Sequence, residues 1–263
     1  MNESRLTDQD IIMRFKERGY FFDESTLDNL QKIFDLSYFM KANFEKYGEV
    51  AILQRKQGVW SFTDEFRAEL ADKEFEKYVV DAVDAGYQNV IQKYNTNVRF
   101  QIGEKYLRAD VIKFLEWDKE QNPQNVGGYI KRPDDRFLPA FINLKKSENH
   151  SSLVSYEDGF INRDTMVWFS KNQRTLNSKV EKLISETNDF GFIHMFVKKS
   201  DNVVADGLEF YYLGSAKVLK SEEMIGKDKE GKDSNLIRFE IRLEKPVDPS
   251  LYRALVEDVD AEN

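Results

Sequence analysis

Three short apolar runs within residues 141–214 constrain the fold most strongly. They are Phe141–Leu144, Ile193–Val197 and Phe210–Leu213, and each is bounded by polar turns. Apolar runs of this length between turns indicate β-strands. Two of the runs end directly in a lysine pair, Lys145–Lys146 and Lys198–Lys199. We therefore expect a sheet that carries positive charge along one rim.

The segment between the first two strands combines aromatic rings, acids and phosphate-type donors. Its aromatic residues are Tyr156, Phe160, Trp168 and Phe169, and its adjacent acids are Glu157 and Asp158. Its hydroxyl and cationic residues are Ser170, Lys171, Arg174, Thr175 and Ser178. Extruding and reading a nucleobase requires ring faces, hydrogen-bond acceptors and phosphate contacts. The alternative is that these rings simply fill the core, because aromatic side chains dominate core energetics.

The composition excludes several classes of site. The 263 residues contain no cysteine, so disulfides, thiolate metal sites and cysteine nucleophiles are ruled out. Only His150 and His194 could supply an imidazole, so a histidine-rich metal site or a Ser-His-Asp relay is not expected. We assign no metal site and no catalytic residues to the chain. No apolar run approaches the roughly 18 to 20 residues of a membrane span, and the start MNESRLTDQD is not a signal peptide. We expect a cytoplasmic protein.

The net charge of −8 argues against a protein that coats DNA non-specifically. Such binding depends on neutralising phosphates with lysine and arginine. A localised basic rim can still bind DNA, because distant charges are screened by salt.

Residues 1–95 are predicted to form a helical module with a small hairpin. Helices are expected over Asp10–Arg18, capped by Thr7 or Asp8, and over Glu24–Leu36. A hairpin of Val50–Leu53 and Val59–Phe62 would follow, and helices then run to residue 90. This order resembles a winged-helix arrangement. The segment Gln54–Lys56 would contact DNA as a wing, or the module would serve in packing and coupling.

Residues 100–260 are predicted to form a second, α+β domain with a curved, mostly antiparallel β-sheet. Helices are expected over Lys105–Trp117 and Leu176–Ile184, and Tyr129–Ile130 would begin the first strand. Leu236–Leu243 alternates between apolar and charged residues, which is typical of a half-buried strand. The pair Gly127–Gly128 permits a positive φ or a close backbone approach.

Several motifs together resemble a known family. They are RADVIKFLEWDK, NVGGY, FINLKK, YEDGFINRDTMVWFSKNQRTLNS, HMFVKKSD and FYYLG. In this order they resemble the C-terminal, SRA-like specificity region of ATP-dependent, modification-dependent (type IV) restriction endonucleases such as SauUSI, within the superfamily 2 helicase-like proteins. The preceding KYGEVAILQRKQGVWSFTDEF is similar to the helical connector of those proteins. Many relatives have a histidine where this chain has Lys145, so no role that needs imidazole is expected there.

The resemblance implies a division of labour in a restriction system. The chain would recognise 5-methylcytosine in double-stranded DNA, with 5-hydroxymethylcytosine as a further candidate, by flipping the base into an aromatic pocket. The helicase and nuclease would lie in upstream domains of the parent protein. The chain alone would bind DNA without cutting it and would need no cofactor.

Candidate residues divide into a base pocket and a DNA-backbone surface. The pocket walls and ring faces would be Tyr129, Phe141, Tyr156 and Trp168. The acceptors for the N4 donor of cytosine would be Asn143, Glu157 or Asp158. The phosphate contacts would be Lys145, Lys146, Ser170, Lys171, Arg174, Thr175, Lys198 and Lys199. One buried methyl contributes only about 0.8 kcal/mol, so methyl selectivity also requires a closely shaped apolar wall.

Two other functions stay open at this point. Glu157 and Asp158, with Asp201 or Asp206, would form the metal site of a nuclease, although acid clusters are more often solvated surfaces. Alternatively, the chain would be a protein–protein adaptor that uses exposed aromatic residues to dock a helicase or another subunit.

Overall fold

The chain folds into two compact units. The computed structural model describes residues 5–20, 22–93, 98–121, 126–132, 136–145, 158–227 and 231–257. The first unit contains residues 1–100 with 111–121, and the second contains residues 101–110 with 122–263.

The first unit combines helices with a three-stranded antiparallel sheet. The strands are β1 (Leu6–Thr7), β2 (Leu53–Lys56) and β3 (Val59–Phe62), in the order β1–β3–β2. The helices are α1 (Asp8–Glu17), α2 (Glu24–Phe34), α3 (Asp64–Glu69) and α4 (Lys73–Lys93), with a 3-10 helix over Lys41–Tyr47. Phe22, Leu27 and Trp60 form the centre of one core cluster.

Thr7, rather than Asp8, caps the first helix. Its hydroxyl accepts a hydrogen bond from the Asp10 amide at 3.2 Å, and the Asp10 carboxylate accepts one from the Thr7 amide at 2.8 Å. This reciprocal pair satisfies two amides that a helix start otherwise leaves unpaired.

The hairpin is displaced from its predicted position. The first strand is Leu53–Lys56 rather than Val50–Leu53, and the turn consists of Gln57 and Gly58, both with positive φ. Two-residue turns of this kind suit the right-handed twist of paired strands. Arg55 therefore lies in a strand, where Asp8 and Asp28 hold its guanidinium at 2.7 and 2.5 Å. These ion pairs favour the packing interpretation of the hairpin over a DNA-contacting wing.

The second unit is built on a sheet of seven strands. They are β4 (Lys105–Tyr106), β5 (Leu138–Lys145), β6 (Gly159–Phe160), β7 (Thr165–Phe169), β8 (Ile193–Ser200), β9 (Phe210–Lys227) and β10 (Asp233–Leu243). Their order is β5–β8–β9–β10–β7–β6, and β4 pairs with the start of β9. Only the β5–β8 pair is parallel among these strands. The predicted α+β class with a mostly antiparallel sheet is confirmed.

Irregular pairing curls this sheet. β9 pairs with β8 through its first residues and with β10 through the rest, and the register shifts once in each ladder. Such bulges bend a strand and increase its twist. Gly214 lies at the bulge opposite Met195 with a φ of +97°, and a Cβ there would approach the Ile102 Cδ1 to 3.1 Å. The curvature therefore depends on a residue without a side chain.

Four further helices lie in the described chain from residue 108 onward. They are α5 (Arg108–Phe114), which begins in the second unit, α6 (Lys179–Ser185), α7 (Val203–Asp206) and α8 (Pro249–Val256). The main core lies on one face of the sheet, and it contains the side chains of Ile193, Met195, Ile237 and Phe239. Among the helices of the described ranges, none contains the stretch of apolar sequence that a membrane span requires.

Three predicted boundaries in the second unit were wrong. Lys105–Tyr106 does not begin a helix, because these residues pair with Tyr211 and Phe210. Tyr129 forms a single bridge to Ala140 instead of opening a strand. The helix predicted from Leu176 begins at Lys179, after its cap Ser178. In the first two cases long-range pairing overrides the local apolar pattern.

Candidate nucleic-acid interface

The predicted site residues divide between the two faces of the sheet. Side chains alternate along a strand, and directly paired residues share a face. The pairs Phe141–Phe196 and Asn143–Lys198 therefore lie on one face. Tyr129, bridged to Ala140, lies on the other face with Trp168 and the main core. The structure does not bring all the predicted pocket residues together.

Three of the predicted residues are outside the part of the chain that the structure describes. They are Lys146, Tyr156 and Glu157. Asp158, which follows them, is described, and its Oδ1 accepts a hydrogen bond from the Phe169 amide at 2.8 Å. This bond fixes the carboxylate beside the end of β7.

Two of the predicted pocket rings, Tyr129 and Trp168, pack against each other in the core. Their centroids are 5.2 Å apart with an interplanar angle of 87°, and Trp168 also contacts Phe239 at 5.2 Å. Only 3% of Tyr129 and 2% of Trp168 are exposed. In this arrangement the two rings form a closed layer, and their role as pocket walls stays a prediction.

A network around a buried carboxylate anchors Tyr129. The Tyr129 hydroxyl donates a hydrogen bond to Glu181 Oε1, and Arg174 Nε lies 3.5 Å from the same oxygen. The Lys171 amide donates to the Tyr129 hydroxyl at 3.3 Å, and the Lys171 ammonium lies 5.0 Å from the centroid of the Tyr129 ring. We call these four residues the Tyr129 network. It places the Lys171 ammonium beside the Tyr129 ring and Arg174 beside the carboxylate that accepts the Tyr129 hydrogen bond.

Glu181 is the functional candidate that the sequence analysis missed. It lies on α6, where its side chain is buried together with Ile184. The available signal was an acid three residues before Ile184, at a spacing that puts both on the inward side of a short helix. Buried acids need partners, and this one has Tyr129 and Arg174.

The loop of residues 170–178 is tied to β10, which fixes the backbone that carries the two cations. The Ser170 amide donates to Ile237 O, and the Ile237 amide donates to the Ser170 hydroxyl, both at 2.9 Å. Farther along, the Arg174 amide donates to Asn235 O at 3.1 Å. The buried Ser170 hydroxyl is thus engaged with the backbone, and the Thr175 amide similarly donates to Ser178 Oγ at 3.0 Å.

Electrostatics favour an anion at the Tyr129 network. Burial lowers the pKa of Lys171, and the neighbouring Arg174 lowers it further, while Glu181 acts in the opposite direction. Burial followed by the hydrogen bond to Glu181 raises the pKa of Tyr129, so its hydroxyl stays protonated. Two neighbouring cations share a single carboxylate, and a phosphate would offset their mutual repulsion.

Gly128 lies next to these cations. Its φ is +78°, which the glycine pair in the sequence permitted, and its carbonyl accepts a hydrogen bond from the Phe141 amide at 2.5 Å. A Cβ at this position would lie 3.9 Å from the Lys171 side chain. The turn therefore runs close along Lys171.

The lysine pair at the end of β8 separates because adjacent strand residues face opposite ways. Lys198 shares the face of Asn143, and its ammonium donates to Gly207 O at 3.0 Å. Lys199 points to the other face and donates to Glu257 O. Lys145 lies two residues beyond Asn143 on β5 and so shares the face of Lys198. The predicted cationic rim is therefore not one continuous surface.

Two of the acids proposed for a metal-dependent nuclease site are held by different elements. Asp206 ends α7 and accepts a hydrogen bond from the Ser200 hydroxyl, whereas Asp158 is held by β7. Within the described ranges, no group of three or more histidine and acidic side chains is arranged to hold a metal ion.

Comparison with protein families gives two matches. Residues 100–255 match the family model described as Domain of unknown function (DUF3427). Residues 1–95 match a second model, described as Domain of unknown function (DUF8090). No curated protein matches the chain.

Solved structures give partial likenesses. The SRA domain of SUVH5 bound to fully hydroxymethylated CG DNA is 13% identical with a TM-score of 0.36, over 57% of this chain and 93% of that one. SUVH6 from Arabidopsis thaliana is 14% identical with a TM-score of 0.37, over 59% and 28%. The sulfur-binding and SRA domains of ScoMcrA with phosphorothioated DNA are 11% identical with a TM-score of 0.34, over 60% and 45%. Likenesses this distant assign neither a ligand nor an activity to this chain.

Proposed function

The chain belongs to the family described as Domain of unknown function (DUF3427), and we propose that residues 100–260 are a DNA-binding specificity domain that recognises 5-methylcytosine. The parent protein would be a type IV restriction endonuclease whose upstream helicase and nuclease domains move along and cut the DNA. In this proposal the chain itself has no catalytic residues and no cofactor.

The Tyr129 network carries the proposal. It sets Lys171 beside the Tyr129 ring and Arg174 beside Glu181, on a loop that hydrogen bonds hold against β10. A preorganised cation pair of this kind binds phosphate without first paying the entropy of ordering its loop. The sequence resemblance supports the same assignment, because the motif containing Lys171 and Arg174 is part of it.

Base reading would take place next to these cations. A flipped cytosine presents an N4 donor, and the fixed Asp158 carboxylate is one candidate acceptor. Tyr156 and Glu157 stay candidates because they directly precede Asp158 in the sequence. Flipping a base costs a few kcal/mol, and stacking on an aromatic ring returns about 1–3 kcal/mol. An apolar wall against the methyl group would provide the remaining discrimination. Comparing the affinities for 5-hydroxymethylcytosine and 5-methylcytosine would test how closely this wall fits the methyl group.

A binding series tests this function. Labelled duplexes that differ only in one cytosine, 5-methylcytosine or 5-hydroxymethylcytosine are titrated with the chain, with and without magnesium. We expect tighter binding to a modified duplex and no cleavage. Equal affinity for all three duplexes would remove the base-reading proposal, and magnesium-dependent cleavage would favour the nuclease alternative.

A protein–protein adaptor is the second candidate, and the exposed apolar side of α4 favours it. Val83 is 64% exposed, and Tyr87 and Ile91, one and two turns farther along the same side of the helix, are also exposed. If no duplex binds, Val83→Asp should weaken co-sedimentation with the upstream helicase and nuclease region, whereas Gln88→Asp on the polar side of α4 should not.

A further inference from the structure

Arg108 is a half-buried guanidinium without a counter-ion among the described residues. Its central carbon lies 5.0 Å from the ring centroids of both Phe141 and Phe210. Its Nε is buried, and no acceptor in the described part of the chain pairs with it. Burial lowers the pKa of Arg108. Contact with ring faces offsets part of this cost, but a buried N–H without an acceptor stays expensive.

Lys198 and Asn143 belong to the same group of side chains. Lys198 is 6% exposed, and its ammonium lies 5.3 Å from the Phe210 centroid. Burial and then Arg108 lower the pKa of Lys198, while Asp206 and Asp201 raise it by less. Asn143, paired with Lys198 across the strands, has a buried Oδ1 that accepts no hydrogen bond from any described residue. Two repelling cations and an unsatisfied amide thus meet on one ring-lined face.

We propose that Arg108, Lys198 and Asn143 form a binding site for a phosphoryl oxyanion on the face of β5 and β8 opposite the Tyr129 network. The oxyanion would accept a hydrogen bond from the unpaired Nε–H of Arg108. Its negative charge would also offset the repulsion between the positive charges of Arg108 and Lys198. Rotation of the Asn143 amide about χ2 would bring its NH2 to the same group and move the unsatisfied Oδ1 away. Donors on three separate elements suit a group with at least three acceptor oxygens, which a phosphoryl group has and a carboxylate lacks.

This site does not depend on base reading. Its residues lie on the other face of the sheet from Tyr129, to whose network Lys171 and Arg174 belong. The phosphoryl group could belong to free phosphate or to a nucleic-acid backbone, and the same donors would bind either source.

The direct test follows the Arg108 Nε–Hε resonance of the full chain in a nitrogen–proton correlation spectrum. The signal is assigned by its loss in Arg108→Met, and inorganic phosphate is then added at constant ionic strength. We expect a saturable shift whose midpoint rises about tenfold or more in Lys198→Met, since a hydrogen bond to a charged group contributes that much. Arg253→Met, which removes an exposed arginine on α8, should leave the midpoint unchanged.

Thermal unfolding provides a second readout that separates ligand binding from packing. Phosphate should raise the Tm of the unaltered chain, because a ligand that binds the folded state stabilises it. Arg108→Met should raise the Tm in phosphate-free buffer and abolish the response to phosphate. A variant that is less stable without phosphate, together with an unaltered chain that does not respond, would make Arg108 a packing residue and overturn the site.

An unmodified duplex distinguishes the two sources. A saturable shift with phosphate that the duplex does not compete supports a free phosphoryl ligand, and a shift in which the duplex displaces phosphate supports the backbone. No saturable shift with phosphate, pyrophosphate or duplex, or an equal shift with sodium chloride, would exclude the site. None of these outcomes depends on whether the chain prefers 5-methylcytosine.

Discussion

The hydroxyl of Tyr129 donates a hydrogen bond to the carboxylate of Glu181, 52 residues farther along the chain. This bond joins the Gly128 turn to α6 and leaves the Tyr129 ring between Trp168 and the ammonium of Lys171. Tyr129, predicted as a pocket wall, is thus also the group that orders the cationic loop.

Replacing Tyr129 with phenylalanine should destabilise the chain while its ring remains in place. The substitution removes one donor from a buried carboxylate, which costs about 1–3 kcal/mol. Urea unfolding at pH 7 measures the change in free energy, with Tyr87→Phe on the exposed side of α4 as the control. An unchanged midpoint would mean that Glu181 finds another donor.

Trp168→Ala should destabilise the second unit, and any loss of DNA binding should follow from this loss of stability. If Trp168 were an open pocket wall, Trp168→Ala would lose binding to methylated DNA and keep its thermal transition. Because the ring is packed against Tyr129 and Phe239, the structure leads us to expect a loss of about 3–5 kcal/mol. Urea unfolding of Trp168→Ala and Trp168→Phe measures it. An unfolding transition of Trp168→Ala with unchanged amplitude and midpoint would instead indicate that the ring lies in an open pocket.

Lys171→Ala and Arg174→Ala should weaken binding to modified and unmodified duplexes equally. Each phosphate contact contributes about 0.9 to the slope of log affinity against log salt concentration. If both cations hold one phosphate, the double variant should lose about the same slope as either single variant. Affinity measured over a series of salt concentrations tests this, and Lys182→Ala on the exposed side of α6 is the matched control. Losses that add, about twice the single value, would indicate two phosphates.

Asp8 should make the first unit sensitive to acid. The hydrogen bond from Arg55, with a further one from Trp60, lowers the pKa of Asp8 below its ordinary value of 3.8. A carboxyl with a lowered pKa in the folded state stabilises the fold above its unfolded pKa, and this contribution disappears as the pH falls through the folded pKa.

Asp8→Asn should therefore lose less stability than the unaltered chain between about pH 5 and pH 2. Urea unfolding across this range measures the difference, and the exposed Asp64→Asn serves as the control. Parallel curves for Asp8→Asn and the unaltered chain would show that Asp8 does not contribute to acid sensitivity.

Local patterns were sufficient for several elements of the fold. The alternation in Leu236–Leu243 predicted that Ile237, Phe239 and Ile241 share a buried face, and all three are fully buried in β10. The cap at Thr7 and the positive φ at Gly128 could also be predicted from the sequence, because each depends on residues that are close together in the chain.

The sequence predicted the candidate site only in part. The motif containing Lys171 and Arg174 was identified, and the structure places both with Tyr129. Glu181 was missed, because an acid on a short helix looks solvent-exposed until its partners are known. The lysine pair Lys198–Lys199 was predicted to put positive charge on one rim, but its two side chains point to opposite faces and Lys198 is buried.

The alternation of side chains along a strand and the amide pairing at a helix end follow from backbone geometry, so neighbouring residues alone determine them. Which strands lie side by side, and in which register, depends on packing over the whole unit. That register places Asn143 opposite Lys198 and away from Trp168. It also leaves Arg108 against two rings without a carboxylate partner among the described residues. Contacts between distant residues therefore decided which side chains can act together.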